Sequence, residues 1–283
     1  MDRRDFVKST ASAALAATLR IPHAARRTRL SRIGLQLYTV RKLLREDFEG
    51  TLTRVVEVGY REVEFAGYFN HTPAEVRAIL DRHGLVSPSA HMPFESLGDG
   101  WGAVLDGCHT IGHQWAMVAW IPVERRKTLD DWKRIAATFN EAGESCKRAG
   151  LRFAYHNHDF ELAPVEGQMP LDLLLANTDR ALVDFEMDLF WTVFGGGDPL
   201  AYFAKYPGRF AMVHVKDMVP KPRPDMPSDS VMRDVGKGSI DWKGIFARSR
   251  QAGIQHYFVE HDNPPDALAS IRASYEYLKQ LEF

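Results

Sequence analysis

Four side chains of the types that bind metal ions stand at the ends of late strand-like segments in this sequence. The four residues are His156, Asp188, His214 and Glu260. Each one closes an apolar run rich in β-branched or aromatic residues, a composition that is typical of a buried strand. Two imidazoles and two carboxylates that meet at one edge of a sheet would bind a divalent cation. The sequence therefore predicts a metal site, on the condition that the four strands are parallel neighbours.

Further ionisable side chains share a face with these four. Residues two apart on a strand lie on the same side, and three such neighbours are His158, Glu186 and Lys216. Matching late positions on the first three predicted strands hold Gln36, Glu64 and His91. Polar groups on the inner face of a barrel are costly unless they are paired or bound to metal. Their concentration at one level therefore favours a site over simple packing.

Each residue taken alone also has a structural interpretation. A histidine at a strand end is commonly a hydrogen-bonded structural residue, Asp188 could cap the next helix, and Glu260 could pair with an arginine. Lys216 and Asp217 could form a surface ion pair. The His-Asn-His triplet at 156–158 does not indicate an HNH nuclease, because that motif spreads its residues over a ββα unit. The joint pattern on four consecutive strands is what favours the metal site.

The elements that must position these residues alternate along the chain from Ile33 onward. Short strand-like runs occupy 33–38, 61–65, 85–91, 115–120, 151–157, 181–187, 210–216 and 256–261. Helical periodicity marks 46–58, 73–83, 128–149 and 266–281. Eight strand–helix pairs predict a single-domain α/β fold, the (β/α)8 or TIM barrel, with its active site at the carboxyl ends of the strands. The alternative is an open doubly wound sheet, but no glycine-rich phosphate turn follows the first strand.

Two segments depart from this rhythm. The three glycines at 195–197 lack the spacing of a phosphate-binding turn and indicate a flexible loop between a strand and a helix. The proline-rich stretch 218–240 predicts a long irregular loop after the seventh strand. A loop of that length inside a compact domain is more often a cover for a site than a linker between domains.

Composition narrows the class of protein. The chain has 283 residues, 45% of them hydrophobic, and a formal net charge of -1. That amount of apolar material supports one large domain or two small ones. The balanced charge gives no general attraction to nucleic acid or anionic lipid, and no internal stretch is apolar enough to span a bilayer. Cys108 and Cys146 are too few for a disulfide framework, and we expect both to be free thiols.

The N-terminal segment predicts a cellular address. Arg3 and Arg4 begin a stretch that resembles the twin-arginine export motif, and a small-residue, weakly apolar run follows at 9–19. We expect residues 1–30 to form an export signal and a flexible N-terminus, and 31–283 to form the barrel domain of a periplasmic or otherwise exported protein. The alternative is an ordinary basic amphipathic helix.

Short segments at the strand ends resemble the sugar phosphate isomerase/epimerase family, the xylose isomerase-like barrels. They are HNHDFE at 156–161, EMDLFW at 186–191, GGGDP at 195–199, HVKD at 214–217, GKGSIDW at 236–242 and VEHD at 259–262. With the opening IGLQLYTVR, the resemblance covers nearly all of 33–283. Members of the family include ketose epimerases, hydroxypyruvate isomerases, inosose dehydratases and endonuclease IV-type nucleases, so the motifs do not specify one reaction.

The resemblance implies one divalent metal ion at the ends of strands five to eight. Epimerases of the family hold it with Glu, Asp, His and Glu, and Asp188, His214 and Glu260 match the last three. His156 stands where the epimerases have the first glutamate, and a histidine-rich strand five resembles the inosose dehydratases more closely. A second imidazole moves the expected metal from Mg2+ toward Co2+, Zn2+ or, as we expect here, Mn2+.

The reaction implied is removal of a proton next to a carbonyl. Because His156 leaves Glu260 without a second glutamate, we expect Glu260 and His158 to form the acid/base pair. Lys216 would donate a proton or pair with the oxyanion. The residues expected to orient sugar hydroxyls are Glu64, His91, Trp191 and Asp217. Reprotonation would give an isomer or epimer, whereas loss of a β-hydroxyl would give a dehydrated product.

We therefore expect a divalent-metal-dependent isomerase or epimerase, with a sugar dehydratase or lyase as the alternative. Export favours a non-phosphorylated sugar or keto-sugar, because phosphorylated sugars are mostly intracellular. The expected partner is this small sugar, without nucleic acid, and a homo-oligomer is compatible with the sequence. A periplasmic sugar-binding protein would instead show two lobes and no turnover. An abasic-site nuclease would need more metal ligands and a basic surface, which a net charge of -1 does not favour.

Overall fold

The computed structural model describes residues 28–221, 223 and 225–283. In that part of the chain the strands are β1 (Gly34–Gln36), β2 (Glu62–Glu64), β3 (Ser89–Met92), β4 (Trp115–Val118), β5 (Arg152–His156), β6 (Val183–Asp188), β7 (Phe210–Val215), β8 (Asp217–Met218), β9 (Met232–Arg233) and β10 (His256–Val259). Strands β8 and β9 form a separate antiparallel pair. The other eight form one parallel sheet, which confirms the predicted barrel.

Barrel strands that follow one another along the chain are neighbours in the sheet. Strand β10 pairs with both β7 and β1, which joins the last strand to the first. Isolated parallel bridges connect the β2 and β3 segments, so the sheet is nearly closed all round. The register sets His156 beside Glu186 and Asp188 beside His214. The ends of β5, β6 and β7 therefore bring ionisable side chains to one level.

Helices surround the barrel and bury their apolar faces against it. In the described residues they are α1 (Arg41–Glu46), α2 (Phe48–Val58), α3 (Pro73–His83), α4 (Trp101–Ile111), α5 (Leu129–Arg148), α6 (Pro170–Asn177), α7 (Leu189–Phe194), α8 (Pro199–Lys205), α9 (Ser228–Val231), α10 (Trp242–Phe246), α11 (Ser249–Ala252) and α12 (Ala267–Gln280). Side-chain caps fix where the long ones begin. Thr72 and Thr128 start α3 and α5 in capping boxes, and Asp266 caps α12.

Three predicted elements differ from the structure. The helix predicted over 46–58 is interrupted at Asp47, whose extended backbone ends α1 and whose side chain caps α2. The strand predicted over 33–38 is shorter, because the 3-10 helix Leu37–Val40 follows it. The stretch 218–240 is not one irregular loop, since β9 and α9 lie within it and β9 pairs with β8.

The glycines at 195–197 do not follow a strand as predicted. Helix α7 begins directly after β6, because Asp188 Oδ1 accepts the Trp191 N–H at 2.8 Å and caps it. The glycines therefore connect α7 to α8, and the expected strand-to-helix loop is a turn between two helices.

The interior of the barrel at the amino-terminal ends of its strands, called here the amino-terminal half, is filled by packed side chains and paired charges. The packed residues are Trp115, Met117, Ala154, Ala211, Met212 and Phe258. Asp184 accepts hydrogen bonds from Arg152 Nε and Nη2 at 2.6 and 2.7 Å and from Trp115 Nε1 at 2.7 Å. Nearby, His256 Nδ1 lies 3.0 Å from Glu62 Oε1. This half of the barrel is a core, as in other eight-stranded barrels.

The predicted export signal and flexible N-terminus span residues 1–30, and 1–27 of them lie outside the described residues. The described chain begins beside its own end, where Thr28 and Phe283 exchange backbone hydrogen bonds of 2.9 and 3.0 Å. Residues 28–30, which we expected to belong to the N-terminal segment, therefore lie against the barrel.

Two predictions from composition can be compared with the described residues. Cys108 and Cys146 are buried free thiols, as predicted. Among the helices that the structure describes, none has both the length and the apolar character to cross a bilayer.

Candidate active site

A cavity of about 700 Å³ opens at the carboxyl ends of the barrel strands. Six of the predicted site residues line it, namely His91, His156, His158, Trp191, Lys216 and Glu260. The rest of its wall includes the aromatic and apolar side chains of Tyr38, Trp120, Phe194 and Met226. A concave site of this size, with a mainly apolar wall and a few convergent polar groups, is typical of small-molecule binding.

Three metal-type residues converge at the ends of β6, β7 and β10. Asp188, His214 and Glu260 each offer one ligand atom, and these atoms lie within 4.8 Å of one another. His214 Nδ1 lies 2.7 Å from Glu260 Oε2 and 3.7 Å from Asp188 Oδ2. The three strands are neighbours in the sheet, which is why their last side chains meet.

Asp188 uses its two carboxylate oxygens for different purposes. Oδ1 caps α7 through the Trp191 N–H, whereas Oδ2 lies 2.9 Å from Lys216 Nζ. Because the hydrogen bond from the Trp191 N–H fixes the orientation of the carboxylate, Oδ2 points toward Lys216. The two interpretations of Asp188, as a helix cap and as a site residue, are therefore compatible.

His156 belongs to an adjoining group rather than to those three residues. It offers a ligand atom within 4.8 Å of those of His91, Glu186 and His214. Its Nδ1 lies 3.1 Å from Glu186 Oε2, and its Nε2 lies 3.8 Å from Asp188 Oδ2. His214 is common to both groups, because its Nε2 lies 3.0 Å from Glu186 Oε2. The quartet predicted from the sequence is therefore divided between two overlapping groups of ligand-type residues.

Lys216 places a buried ammonium among three carboxylates. Its Nζ lies 2.9 Å from Asp188 Oδ2, 2.8 Å from Glu260 Oε2 and 2.8 Å from Asp262 Oδ1. Burial opposes a charge there, but the carboxylates of Asp188, Asp262 and Glu260 raise the pKa of Lys216 well above its usual value. The side chain is therefore a permanent cation at the site.

Carboxylates outnumber permanent cations in this cluster. Lys216 contacts Asp188, Glu260 and Asp262, and His91 contacts two further acids of the cluster, Glu64 and Glu186. Burial lowers the pKa of His91, but the Glu64 and Glu186 carboxylates outweigh it and raise the pKa to about 9. Burial also opposes charge on His214, yet Glu186 and Glu260 raise its pKa well above its usual value. The cluster therefore attracts positive charge, which either protons or a metal ion can supply.

Several buried atoms of the cluster lack a hydrogen-bond partner among the residues that the structure describes. They are Glu186 Oε1, Asp188 Oδ2 and His214 Nδ1. The last two lie close to charged neighbours without the alignment of a hydrogen bond. Buried polar atoms left in this way are costly, and a cation bound between them would satisfy them. Carboxylate oxygens together with imidazole nitrogens suit Mn2+, Co2+, Zn2+ and, less well, Mg2+.

Glu64 was expected to bind substrate, but the structure buries it completely and it does not line the cavity. It accepts hydrogen bonds from Gln36 Nε2 at 2.7 Å and from the Ser89 hydroxyl. It also lies 2.8 Å from His214 Nε2 and 3.1 Å from His91 Nε2. Its carboxylate therefore orients two imidazoles of the site from behind.

Asp217 also has a different role from the one expected. Its carboxylate accepts the backbone N–H groups of Met218, Gly236, Gly238 and Ile240 at 2.8 to 3.2 Å, and the side chain of Trp242 at 3.0 Å. It is 1% exposed and does not line the cavity. With its oxygens engaged in this way, Asp217 holds the GKGSIDW segment in place instead of orienting a sugar.

His158 lies in an aromatic part of the cavity wall. Its ring stacks on Phe160 at 5.6 Å and contacts Trp120 and Trp191 at 5.3 and 5.5 Å between centroids. Burial, with a further contribution from Lys216, lowers the pKa of His158 to about 3. The imidazole is therefore neutral near pH 7, while its position on the cavity wall allows contact with a bound molecule.

Four residues that contact the site were absent from the predicted set. Ser89, Glu161, Glu186 and Asp262 make these contacts. Strand alternation already placed Glu186 on the same face as Asp188, so that signal was available. Asp262 stands two positions after Glu260, and the same rule would have drawn attention to it. Ser89 and Glu161 carry no sequence signal that separates them from other polar residues.

The chain is similar in sequence to a known family and to an enzyme within reach of alignment. A model of the xylose isomerase-like TIM barrel family matches residues 52–281. An inosose dehydratase from Geobacillus kaustophilus is 26% identical over 254 residues, which covers 77% of this chain and 80% of that protein. These matches confirm the resemblance that the strand-end segments indicate.

Solved structures share the barrel. A sugar phosphate isomerase/epimerase from Parabacteroides distasonis is 27% identical, with a TM-score of 0.74 and coverage of 88% of this chain and 98% of that one. The IolI protein, crystallised with a binding zinc atom, is 13% identical, with a TM-score of 0.70 and coverage of 87% and 95%. At that lower identity the likeness concerns the fold alone.

Proposed function

The chain belongs to the xylose isomerase-like TIM barrel family, and on this basis we propose that it is a metal-dependent sugar lyase. It removes a proton from the carbon next to a carbonyl of a non-phosphorylated sugar ketone or cyclic polyol ketone. The hydroxyl on the following carbon then leaves as water. The observation that carries the proposal is that His158, Lys216 and Glu260 line one cavity, and the likeness to an inosose dehydratase favours loss of water over isomerisation.

His158 is the group to which we assign the proton transfer. Its ring lines the cavity and, because burial lowers its pKa to about 3, it is unprotonated at neutral pH. An imidazole with so low a pKa is a weak base, so the transfer depends on positive charge at the carbonyl oxygen to acidify the C–H group. Its Nδ1 is buried and has no hydrogen-bond partner among the described residues. The imidazole takes the proton from carbon, and the C–H electron pair moves toward the carbonyl oxygen to give an enolate. When the enolate re-forms the carbonyl, a C=C bond forms as the C–O bond of the leaving hydroxyl breaks. Returning the proton to the departing hydroxyl makes water and restores the neutral ring.

Positive charge near the carbonyl oxygen supports this step. The Lys216 ammonium lines the cavity and can pair with the oxygen as it becomes negative. Asp188, His214 and Glu260 are the residues that would hold a divalent ion. When bound, such an ion supplies Lewis acidity for a carbonyl oxygen.

The cavity wall favours a neutral polyhydroxylated ring. Trp191 and Trp120 offer aromatic faces, and His91 offers a polar edge. Among the described residues that line the cavity, Lys216 is the one lysine or arginine, and three carboxylates already contact it. A phosphate group would find little charge to pair with there.

A second candidate is isomerisation or epimerisation, which shares the first proton transfer. It is supported by the likeness to a sugar phosphate isomerase/epimerase and by the position of both Glu260 and His158 on one cavity. Burial opposes ionisation of Glu260, but Lys216 and His214 hold its pKa well below the usual range. An ionised Glu260 and a neutral His158 are both proton acceptors, so isomerisation would use one of them, which takes the proton from one carbon and returns it to the next.

Product mass after reaction in D2O separates the two reactions. The full-length protein, supplied with Mn2+, is incubated with inosose and with a panel of free and 3-keto sugars. Lyase activity gives a product lighter by one water, whereas isomerisation or epimerisation leaves the skeleton intact and adds deuterium. His158→Asn should stop both reactions, and His109→Asn, a change at an exposed histidine, should stop neither. Absence of exchange and of water loss across the panel would refute the proposal.

We also propose that the enzyme is exported, on the strength of Arg3 and Arg4 in the sequence. Cell fractionation should find the wild-type chain outside the cytoplasm. The paired change Arg3→Lys/Arg4→Lys should retain it inside, and equal distributions of the two chains would refute export by this route.

A further inference from the structure

Lys216 lies where a divalent ion would meet two of the three converging ligand residues. Its ammonium contacts Asp188 Oδ2 at 2.9 Å and Glu260 Oε2 at 2.8 Å. The residue is 2% exposed, so little water replaces these contacts. A lysine ammonium and a divalent ion both need the same carboxylate oxygens. The two cations therefore share two ligands.

Asp262 gives the ammonium a partner outside that set of three. It accepts a hydrogen bond from Lys216 Nζ at 2.8 Å, and this contact has hydrogen-bond geometry. The contacts of Nζ with Asp188 and Glu260 are as short, but Asp188 Oδ2 remains without a hydrogen-bond partner among the described residues. Asp262 lies on the cavity wall, with its side chain 17% exposed. Lys216 is thus held most directionally by the one carboxylate that is not a candidate metal ligand.

We propose that Lys216 is an internal competitor of the divalent metal, and that Asp262 retains its ammonium when the metal takes Asp188 and Glu260. The inference rests on the metal dependence proposed above. Lys216 acts on metal affinity through the carboxylates that it shares, so in this respect it is a positioning residue. Without metal, it neutralises part of the buried negative charge. With metal, its contact with Asp262 keeps it from leaving the cavity wall.

The proposal predicts a specific pattern of Mn2+ affinities. Lys216→Met removes the competitor and should tighten Mn2+ binding by about tenfold or more, within the usual range of coupling between two sites. Asp262→Asn removes the alternative partner, so Lys216 stays on Asp188 and Glu260, and binding should weaken by about fivefold or more. In the Lys216→Met background, Asp262→Asn should change the affinity by less than about twofold.

That last comparison separates the proposal from simple electrostatics. If Asp262 acted only by adding negative charge near the metal, its replacement would weaken binding equally in both backgrounds. Lys221→Met is the matched control for charge, because it removes a lysine close to the same cavity. Lys221 Nζ donates to the Phe194 carbonyl at 2.6 Å, and the ring of Phe194 lines the cavity. Its affinity should stay within about twofold of wild type.

The experiment is calorimetric titration of Mn2+ into the full-length protein after treatment with EDTA, with thermal unfolding measured on the same samples. If Lys216→Met does not fold without metal, Lys216→Gln replaces it, since an amide retains a donor for the carboxylates. The expected result is the pattern above, with a larger Mn2+-induced rise in Tm for the Lys216 variant than for wild type. Equal affinities in wild type and the Lys216 variant would overturn the competition and leave the proposed function intact. Failure of every variant to bind Mn2+ would overturn both.

Discussion

Buried acidic side chains at the two ends of strand β6 differ in whether all of their oxygens have hydrogen-bond partners. At its start, Asp184 receives two hydrogen bonds from Arg152 and one from Trp115. At its end, Glu186 and Asp188 each keep a buried oxygen without a hydrogen-bond partner among the described residues. The side-chain type is the same, but the set of partners is complete at one end and incomplete at the other. A buried carboxylate whose oxygens are all hydrogen-bonded stabilises the barrel. A buried carboxylate with an unpaired oxygen beside a cavity is instead a candidate ligand-binding site.

The sharpest test of this contrast is Glu260→Gln at the cavity end. We expect kcat/KM on the substrate found by product mass to fall by about 10²–10⁴-fold, because Glu260 would hold the metal ion in the proposed lyase and would be an acid/base group in the isomerase alternative. The Tm of the metal-free protein should stay near that of wild type, because Lys216 keeps the carboxylates of Asp188 and Asp262 when Glu260 is replaced. Steady-state kinetics and circular dichroism on one preparation check both parts. A folded variant with full activity would remove Glu260 from the site.

Metal addition should stabilise the same end without any change in sequence. Mn2+ at about 100 times its dissociation constant should add about 2.7 kcal/mol to the free energy of unfolding, because it binds the folded state alone. Chemical denaturation with EDTA or with Mn2+ measures the difference. An Asp184→Ala chain should show the same increment, since Asp184 lies in the amino-terminal half. A curve that does not respond to Mn2+ would contradict the metal site.

Asp184→Ala should affect stability and leave chemistry unchanged. The variant leaves Trp115 Nε1 and the Arg152 guanidinium without the carboxylate that accepts their hydrogen bonds at the amino-terminal ends of the strands. The Arg152 side chain is 54% exposed and can turn to water, so we expect a loss of roughly 2 kcal/mol, below the range for fully buried pairs. The kcat of the folded fraction should match wild type. A fall in kcat without a fall in stability would mean that the two ends are coupled.

The smallest expected effect comes from His113, a buried histidine with complete partners. Its Nδ1 lies 2.7 Å from the Ser87 carbonyl oxygen and its Nε2 lies 3.1 Å from the Tyr68 hydroxyl. Burial lowers its pKa to about 4, although the Ser87 contact opposes the shift. Since the unfolded chain binds this proton more readily, the stability that neutral His113 contributes is present above pH 6.5 and is lost as pH falls toward 4.

Between pH 7 and pH 6 that loss should be less than about 1 kcal/mol. Urea denaturation of wild type and His113→Gln at each pH measures it, and the variant should show a shallower dependence on pH. Equal slopes for the two chains would show that His113 titrates normally.

Much of the barrel could be predicted because its signals are local. Gly59, Gly84, Gly150 and Gly253 follow helices and have positive φ, which glycine adopts without strain. The alternation of apolar strands and amphipathic helices fixed the number of β–α pairs. The helix predicted from Glu46 begins at Phe48, and the residue between them, Asp47, is a typical N-cap residue whose signal was available in the sequence.

The site was harder to predict because it depends on which side chains meet across the barrel. Alternation placed Glu186 and Asp188 on one face, but the register between β5 and β6 decides that His156 contacts Glu186 more closely than Asp188. The burial of Glu64 behind two imidazoles likewise depends on distant strands. Such contacts have no signature in residue type or spacing.

The five donors gathered by Asp217 have a consequence for how this enzyme could diversify. Four of the five belong to the GKGSIDW segment and anchor it to the end of the barrel, and β9, which lies shortly before that segment, pairs with β8. The stretch between them carries Met226 and Ser228 to the cavity wall. A stretch of chain that is fixed at both ends can be exchanged or lengthened while the barrel stays unchanged. Substitutions in this stretch would therefore change the cavity wall at Met226 and Ser228 without touching the barrel strands.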